Sequence, residues 1–135
     1  MLSPLLKNRN FLNNLLIALA AVFVYLNSLQ VPFIFDDKTH ILFDPRIQNF
    51  WPPWNVLQHT NRPIVDLSLS LNYLLGGKDP FAYHVFNLLI HIGAALVLYA
   101  VLGRTFHFAR APDPIQRQAQ NLAFTVTLLW TVHPL

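Results

Sequence analysis

The sequence predicts an all-α integral membrane fold: two full transmembrane helices, a third at the C-terminus, and an interfacial amphipathic helix in the first external loop. Three observations carry that prediction. Charged residues make up 11% of the 135 residues and hydrophobic ones 54%, whereas a soluble domain averages about 25% charged. Two apolar runs are long enough to cross a hydrocarbon core of roughly 30 Å at about 1.5 Å per residue. The basic residues flank those runs: Lys7 and Arg9 precede the first, and Arg104, Arg110 and Arg117 follow the second.

That last pattern also excludes function classes. A net charge of +3 and a pI near 9.6 would suit nucleic acid if the cations shared one face, and they do not. No nucleic-acid partner is expected. With no cysteine there is no disulfide framework and no thiolate metal site. All six acidic residues are Asp, the four glycines form no phosphate loop, and neither repeats nor low-complexity tracts occur.

The first helix is predicted over residues 11–29. It is longer than the apolar region of a signal peptide, and its exit through Leu29, Gln30, Val31 and Pro32 is unsuited to cleavage. An external loop, 30–80, follows. Pro32, Pro45, Pro52, Pro53 and Pro63 oppose a long regular helix over 30–63. Phe43, Phe50, Trp51 and Trp54, set among polar neighbours, suit the membrane–water interface. Over 64–75 the alternation of Leu67, Leu69 and Leu71 with Ser68, Ser70 and Asn72 is strand-like. The same residues also give a helix with Ile64, Leu67, Leu71, Leu74 and Leu75 on one face and Asp66, Ser70 and Tyr73 opposite. No partner strand is evident and Gly76-Gly77 is a helix stop, so an interfacial helix is predicted.

Asp79-Pro80 reads as an N-cap followed by Pro at the first helical position. The second spanning helix is predicted over 81–102, with His84, Asn87 and His91 on one face that should turn into a bundle. A basic connector, 103–121, contains Pro112 and Pro114. The third helix is predicted over 122–135. Five of the nine Lys and Arg lie in the N-terminus and the connector, against five of the six Asp in the loop. The charge rule therefore puts the N-terminus in the cytoplasm and the loop outside or in a lumen.

The residues offer several chemistries. Asp36-Asp37 follows the apolar Val31–Phe35, where a carboxylate can gain proton affinity and serve as a general base toward a hydroxyl; the alternative is a solvated acidic pair balancing Lys38. Asp36, Asp37 and His40, with His84 or His133, are also possible metal ligands, but the spacing is not diagnostic. Arg62 suits a bidentate phosphate contact or a headgroup anchor. His84, Asn87 and His91 are interhelical hydrogen-bond candidates.

Taken in order, Phe35-Asp36-Asp37, Arg62-Pro63, the run Leu69–Gly77, Asp79–His84, Asn87-Leu88-Leu89 with His91, and Val132-His133-Pro134 carry a specific resemblance. Over residues 11–135 the chain resembles the N-terminal part of the membrane O-mannosyltransferase-like proteins with tetratricopeptide repeats, within the GT-C class of glycosyltransferases. The resemblance implies a partial GT-C-like membrane domain spanning 1–135. It implies inverting transfer of a mannose-like sugar from a polyisoprenyl-phosphate donor to an acceptor hydroxyl on the non-cytoplasmic face. Asp36 would be the general base with Asp37 in support, and Arg62, His84 and His133 would contact substrate. The donor replaces any resident cofactor, although a divalent metal is left open. Expected partners are membrane lipid, the donor, a protein or glycan acceptor, and further membrane helices. The location would be the bacterial cytoplasmic membrane, or the endoplasmic reticulum in a eukaryote. Family members have many more helices than this chain and usually a repeat domain. That leaves two rival expectations: a non-catalytic accessory subunit, or an inactive truncated fragment.

Overall fold

The computed structural model describes residues 4–58, 60–108 and 113–133. They are all-helical, with no strand among them. In chain order the helices are α1 (Pro4–Tyr25), α2 (Pro53–Leu57), α3 (Pro63–Gly76), α4 (Pro80–Phe108), α5 (Asp113–Arg117) and α6 (Ala119–Val132). Arg110 and Pro112 of the connector, and Pro134 and Leu135, lie outside the described residues.

Each helix boundary has a local cause. Pro4 opens α1, where a missing N–H costs nothing. The helix tightens into a 3-10 turn over Leu26–Gln30, where Asn27 and Ser28 compete for backbone hydrogen bonds and Pro32 forbids continuation. The predicted cap of the second long helix is present: the Asp79 carboxylate accepts the Phe81 N–H at 3.0 Å, and Pro80 is the first helical residue. α4 runs to Phe108, past the predicted end at 102, because nothing between Gly103 and Phe108 breaks it. α6 starts at Ala119 and stops at Val132, with His133 already extended. The predicted range 122–135 is thus shifted toward the N-terminus.

The chain forms two compact units: Met1–Leu26 with Leu88–Leu135, and Asn27–Asn87. The first is a helical unit in which α6 packs on α1. Apart from Ile17, its buried side chains are small or polar: Ala21, Ala95, Tyr99, Ala119, Ala123, Thr127, Thr131 and Asn13. On α6 the buried residues recur every fourth position, which is one face of a helix. Large apolar side chains point outward instead, with Phe23 83% exposed and Val97 64%. This inverts the soluble arrangement. Where lipid solvates the outside, small residues let helix backbones approach and polar ones bond across the interface. Two stretches, Arg9–Gln30 and Pro80–His107, are long and apolar enough to cross a membrane.

Polar pairing holds this unit together. Tyr99 accepts a hydrogen bond from Asn13 Nδ2 at 2.8 Å and donates to Gln120 Oε1 at 2.8 Å. One hydroxyl thereby joins α1, α4 and α6. Near the ends of α1 and α6, His91 stacks on Trp130 with centroids 4.9 Å apart and meets the Tyr25 ring edge-on at 5.2 Å. His91 Nε2 lies 3.0 Å from the Thr131 carbonyl, and the Tyr25 hydroxyl donates to the His133 carbonyl at 3.0 Å. Both carbonyls belong to the end of α6, where helical partners run out.

The second unit is a loop domain. Its core is Phe33, Ile41 and Tyr83, with Leu42, Leu69, Tyr73 and Ala82 packed on it. α3 is inverted as the bundle helices are. Asp66, Ser70 and Asn72 are buried, whereas Ile64 is 83% exposed and Leu75 77%. At the end of α3 the chain turns through Gly77 at φ 60°. Gly76 is needed there for closeness, since a Cβ on it would stand 2.6 Å from that of Ala82.

Candidate functional site

The acidic pair Asp36-Asp37 sits on a turn with two buried anchors. Before it, Phe33 is buried and meets Tyr83 edge-on, centroids 5.2 Å apart. After it, Ile41 is buried within the π-helical turn Lys38–Leu42. Between these anchors the chain must reverse, and it does so at Phe35, whose φ is 45°. A bulky residue in the left-handed region is strained by about 1–3 kcal/mol, and such strain concentrates at functional positions. The Asp37 N–H bonds to the Ile34 carbonyl at 3.1 Å and the Lys38 N–H to that of Phe35 at 3.3 Å, closing the turn. Asp36 is exposed and Asp37 half-buried.

The neighbouring cation serves a different carboxylate. Arg46 makes a two-pronged contact with Asp44, Nη2 to Oδ2 at 2.6 Å and Nε to Oδ1 at 3.1 Å, and its backbone N–H adds a third bond at 2.9 Å. Hydrogen bonding from Arg46 holds the Asp44 carboxyl below its ordinary pKa, although partial burial opposes this. The same contact raises the Arg46 pKa, and the nearby Asp66 charge adds to the rise. Neither Asp36 nor Asp37 forms an ion pair among the described residues.

The remaining predicted residues are placed as follows. Arg62 is exposed at the N-cap of α3, with its backbone N–H bonded to Thr60 Oγ1 at 3.0 Å. His84 reaches back to the Val31 carbonyl with Nε2 at 2.9 Å. It thereby braces the segment that leads into the acidic turn. Among the described residues no hydrogen bond links Arg62 or His84 to the two aspartates. His133, the C-cap of α6, is exposed and belongs to the other unit.

The polar face of α4 divides. His91 bonds within the bundle, His84 bonds within the loop unit, and Asn87 is exposed, although one shared inward face was expected. Among the described residues no three His or Asp side chains stand close enough to hold a metal ion. Asp66 is the polar residue that sequence reasoning misplaced. The sequence puts it on the face of α3 opposite the apolar residues, and that face is buried at Asp66. The signal for this was present in the apolar face opposite, which lipid can solvate as readily as a protein core can.

Comparison with known proteins agrees with the resemblance. The chain is 31% identical to Protein O-mannosyl-transferase Tmtc3 of Drosophila melanogaster over 93% of its own length, covering 16% of that protein. It is 30% identical to Protein O-mannosyl-transferase TMTC1 of Homo sapiens over 89% of its length, covering 14%. Against Protein O-mannosyl-transferase tmtc2 of Xenopus laevis the identity is 36% over 57% of the chain, covering 11%. The chain therefore spans between a tenth and a fifth of the length of these curated relatives. No family model matches the sequence and no solved structure matches the chain.

Proposed function

From its homology with the protein O-mannosyl-transferases, we propose that this chain forms the first membrane helices and first external loop of a polytopic GT-C glycosyltransferase. The enzyme moves a mannose-like sugar from a polyisoprenyl-phosphate donor to a hydroxyl of a protein or glycan acceptor. The single observation that carries the reading is the Asp36-Asp37 pair, with Asp36 exposed and Asp37 half-buried, on a turn strained at Phe35 and pinned by Phe33 and Ile41.

Asp36 is the general base. It takes the proton of the acceptor hydroxyl as that oxygen attacks the anomeric carbon. The bond from that carbon to the phosphate oxygen breaks, the phosphate leaves with the electron pair, and the configuration inverts. Asp37 supports Asp36. Arg62 offsets charge on the departing phosphate, and His84 and His133 contact substrate. No cofactor beyond the donor is assigned.

The acidic turn faces the exterior or a lumen, and the N-terminus and the connector 103–121 face the cytoplasm. In bacteria the membrane is the cytoplasmic one, and in a eukaryote that of the endoplasmic reticulum. α3 lies in the interface with Ile64, Leu74 and Leu75 toward lipid, and α6 enters the bilayer as a third helix. Exposed apolar flanks on α1 and α4, including Phe23 and Val97, favour lipid or further membrane helices as neighbours. They also motivate the rival reading of a non-catalytic subunit.

The test is Asp36→Asn in membranes that carry the protein at its native level, with labelled sugar transfer from the lipid donor as the readout. Loss of transfer with unchanged membrane insertion supports the reading. Undiminished transfer overturns it, and a stable partner complex with no transfer by either version favours the accessory subunit.

A further inference from the structure

At the Arg9 end of α1, the bundle opens into a cleft of about 530 Å³. That is large enough for a small ligand or a lipid headgroup. Its walls come from α1, α4, α5 and α6. They carry Arg9, Arg104 and Arg117, each from a different helix, together with His107. No carboxylate lines it among the described residues; Asp113, on the same short helix as Arg117, is exposed and outside the wall. The rest of the lining is rich in amides, notably Gln120 and Asn121.

Cations at the ends of spanning helices often only anchor the helix, with each side chain reaching outward separately. Here they converge. Arg9 is turned inward by a hydrogen bond from its Nη2 to Asn121 Oδ1. Gln120 is fixed by the bond it accepts from Tyr99, and Gly103 lets that amide approach within 3.4 Å of where a Cβ would be. The depth is also specific. Arg9 is the first residue of one membrane-crossing stretch and His107 the last of the other. The cleft thus lies at headgroup level, at the N-terminal end of α1.

Three permanent positive charges without a lining acid call for an anion. Guanidinium groups match phosphate oxygens two at a time, and basic pockets between membrane helices take phosphate-bearing headgroups. We propose that this cleft is a binding site for a phosphate ester, distinct from and independent of the proposed sugar-transfer site. The source is either an anionic phospholipid headgroup or a soluble phosphate.

The experiment uses the full chain in nanodiscs and reads lipid retention by native mass spectrometry together with the thermal midpoint. Nanodiscs of phosphatidylglycerol are compared with phosphatidylcholine alone, and inorganic phosphate is titrated into the latter. Retention of phosphatidylglycerol and a raised midpoint, with the affinity reduced roughly 25-fold and the midpoint gain lost in Arg104→Gln with Arg117→Gln, support the site with lipid as source. The estimate is about fivefold for each arginine near the membrane surface. A midpoint shift with inorganic phosphate that the double variant lacks supports the site with a soluble ligand. Arg117 is exposed on α5, so Arg117→Gln alone keeps the fold and should still weaken binding about fivefold. Equal protection by phosphatidylcholine, or variants that respond like the wild type, overturns the proposal.

Discussion

The helical unit and the loop unit treat their polar residues in opposite ways. In the helical unit most polar side chains near the interior are bonded to one another or to helix ends: Asn13 to Tyr99, Tyr99 to Gln120, His91 and Tyr25 to the last carbonyls of α6; the buried Thr127 hydroxyl is an exception, with no hydrogen-bond partner among the described residues. In the loop unit Asp36 and Arg62 are exposed, while pairing is concentrated in Asp44–Arg46 and in ties such as Tyr83 to the Gly77 carbonyl. Under the proposed function, the contrast separates holding shape from meeting a ligand. A polar group that must hold helices together in lipid needs a fixed partner, because an unpaired one there is costly. A carboxylate that must accept a proton from a visiting hydroxyl has to remain open to it.

This contrast can be broken most sharply at the loop. Asp36→Asn should reduce sugar transfer by at least about 100-fold, the range for loss of a general base, while leaving thermal unfolding unchanged. A comparable loss of stability would instead make Asp36 a structural residue. Gly76→Ala tests the loop's own packing. The added methyl would meet Ala82, so a cost of about 1–3 kcal/mol is expected from overpacking. A thermal midpoint equal to the wild type would show that the α3–α4 turn yields freely.

The helical unit should respond in stability alone. Tyr99→Phe leaves Asn13 and Gln120 short of a partner and should cost about 1–2 kcal/mol, read as a lower thermal midpoint with transfer retained. A fall in transfer at full stability would extend the functional site into the bundle. Back in the loop, Phe35→Gly should relieve the left-handed strain at little packing cost, since Phe35 is 86% exposed. A stabilisation of up to about 1 kcal/mol is expected, seen as slower proteolysis of the loop. Faster cleavage would show that the strain is offset by contacts of the ring.

The smallest effect concerns pH. The Asp44 pKa is depressed in the folded protein, so its stabilising contribution is present above the ordinary carboxylate value near 3.8. It is lost as pH falls through the folded value. Asp44→Asn should remove about 0.5 kcal/mol at neutral pH, since the pair is partly solvated, and should abolish that acid dependence in hydrogen exchange of residues 44–49. An unchanged acid profile would transfer the effect to another carboxylate.

Much of this is legible in the sequence. Composition and two long apolar runs determined an all-helical chain suited to a membrane, since backbone groups in lipid must be satisfied within each helix. Asp79-Pro80 determined the start of α4, because capping is a local hydrogen bond. Gly76-Gly77 marked the end of α3 for the same local reason. The ordered motifs from Phe35 to Pro134 pointed to the family that homology supports.

Other features needed the tertiary structure. Periodicity divides α3 into an apolar and a polar face but does not say which is inside, and the structure buries Asp66 and Ser70. The face of His84, Asn87 and His91 looks uniform along the helix, yet its members meet different surroundings. The strain at Phe35, the partition of Arg46 to Asp44, and the convergence of Arg9, Arg104 and Arg117 all depend on where the chain returns. Local sequence settles bonds that close within a turn or two of chain, whereas a contact such as Tyr25 to His133, 108 positions apart, exists only once the helices have packed.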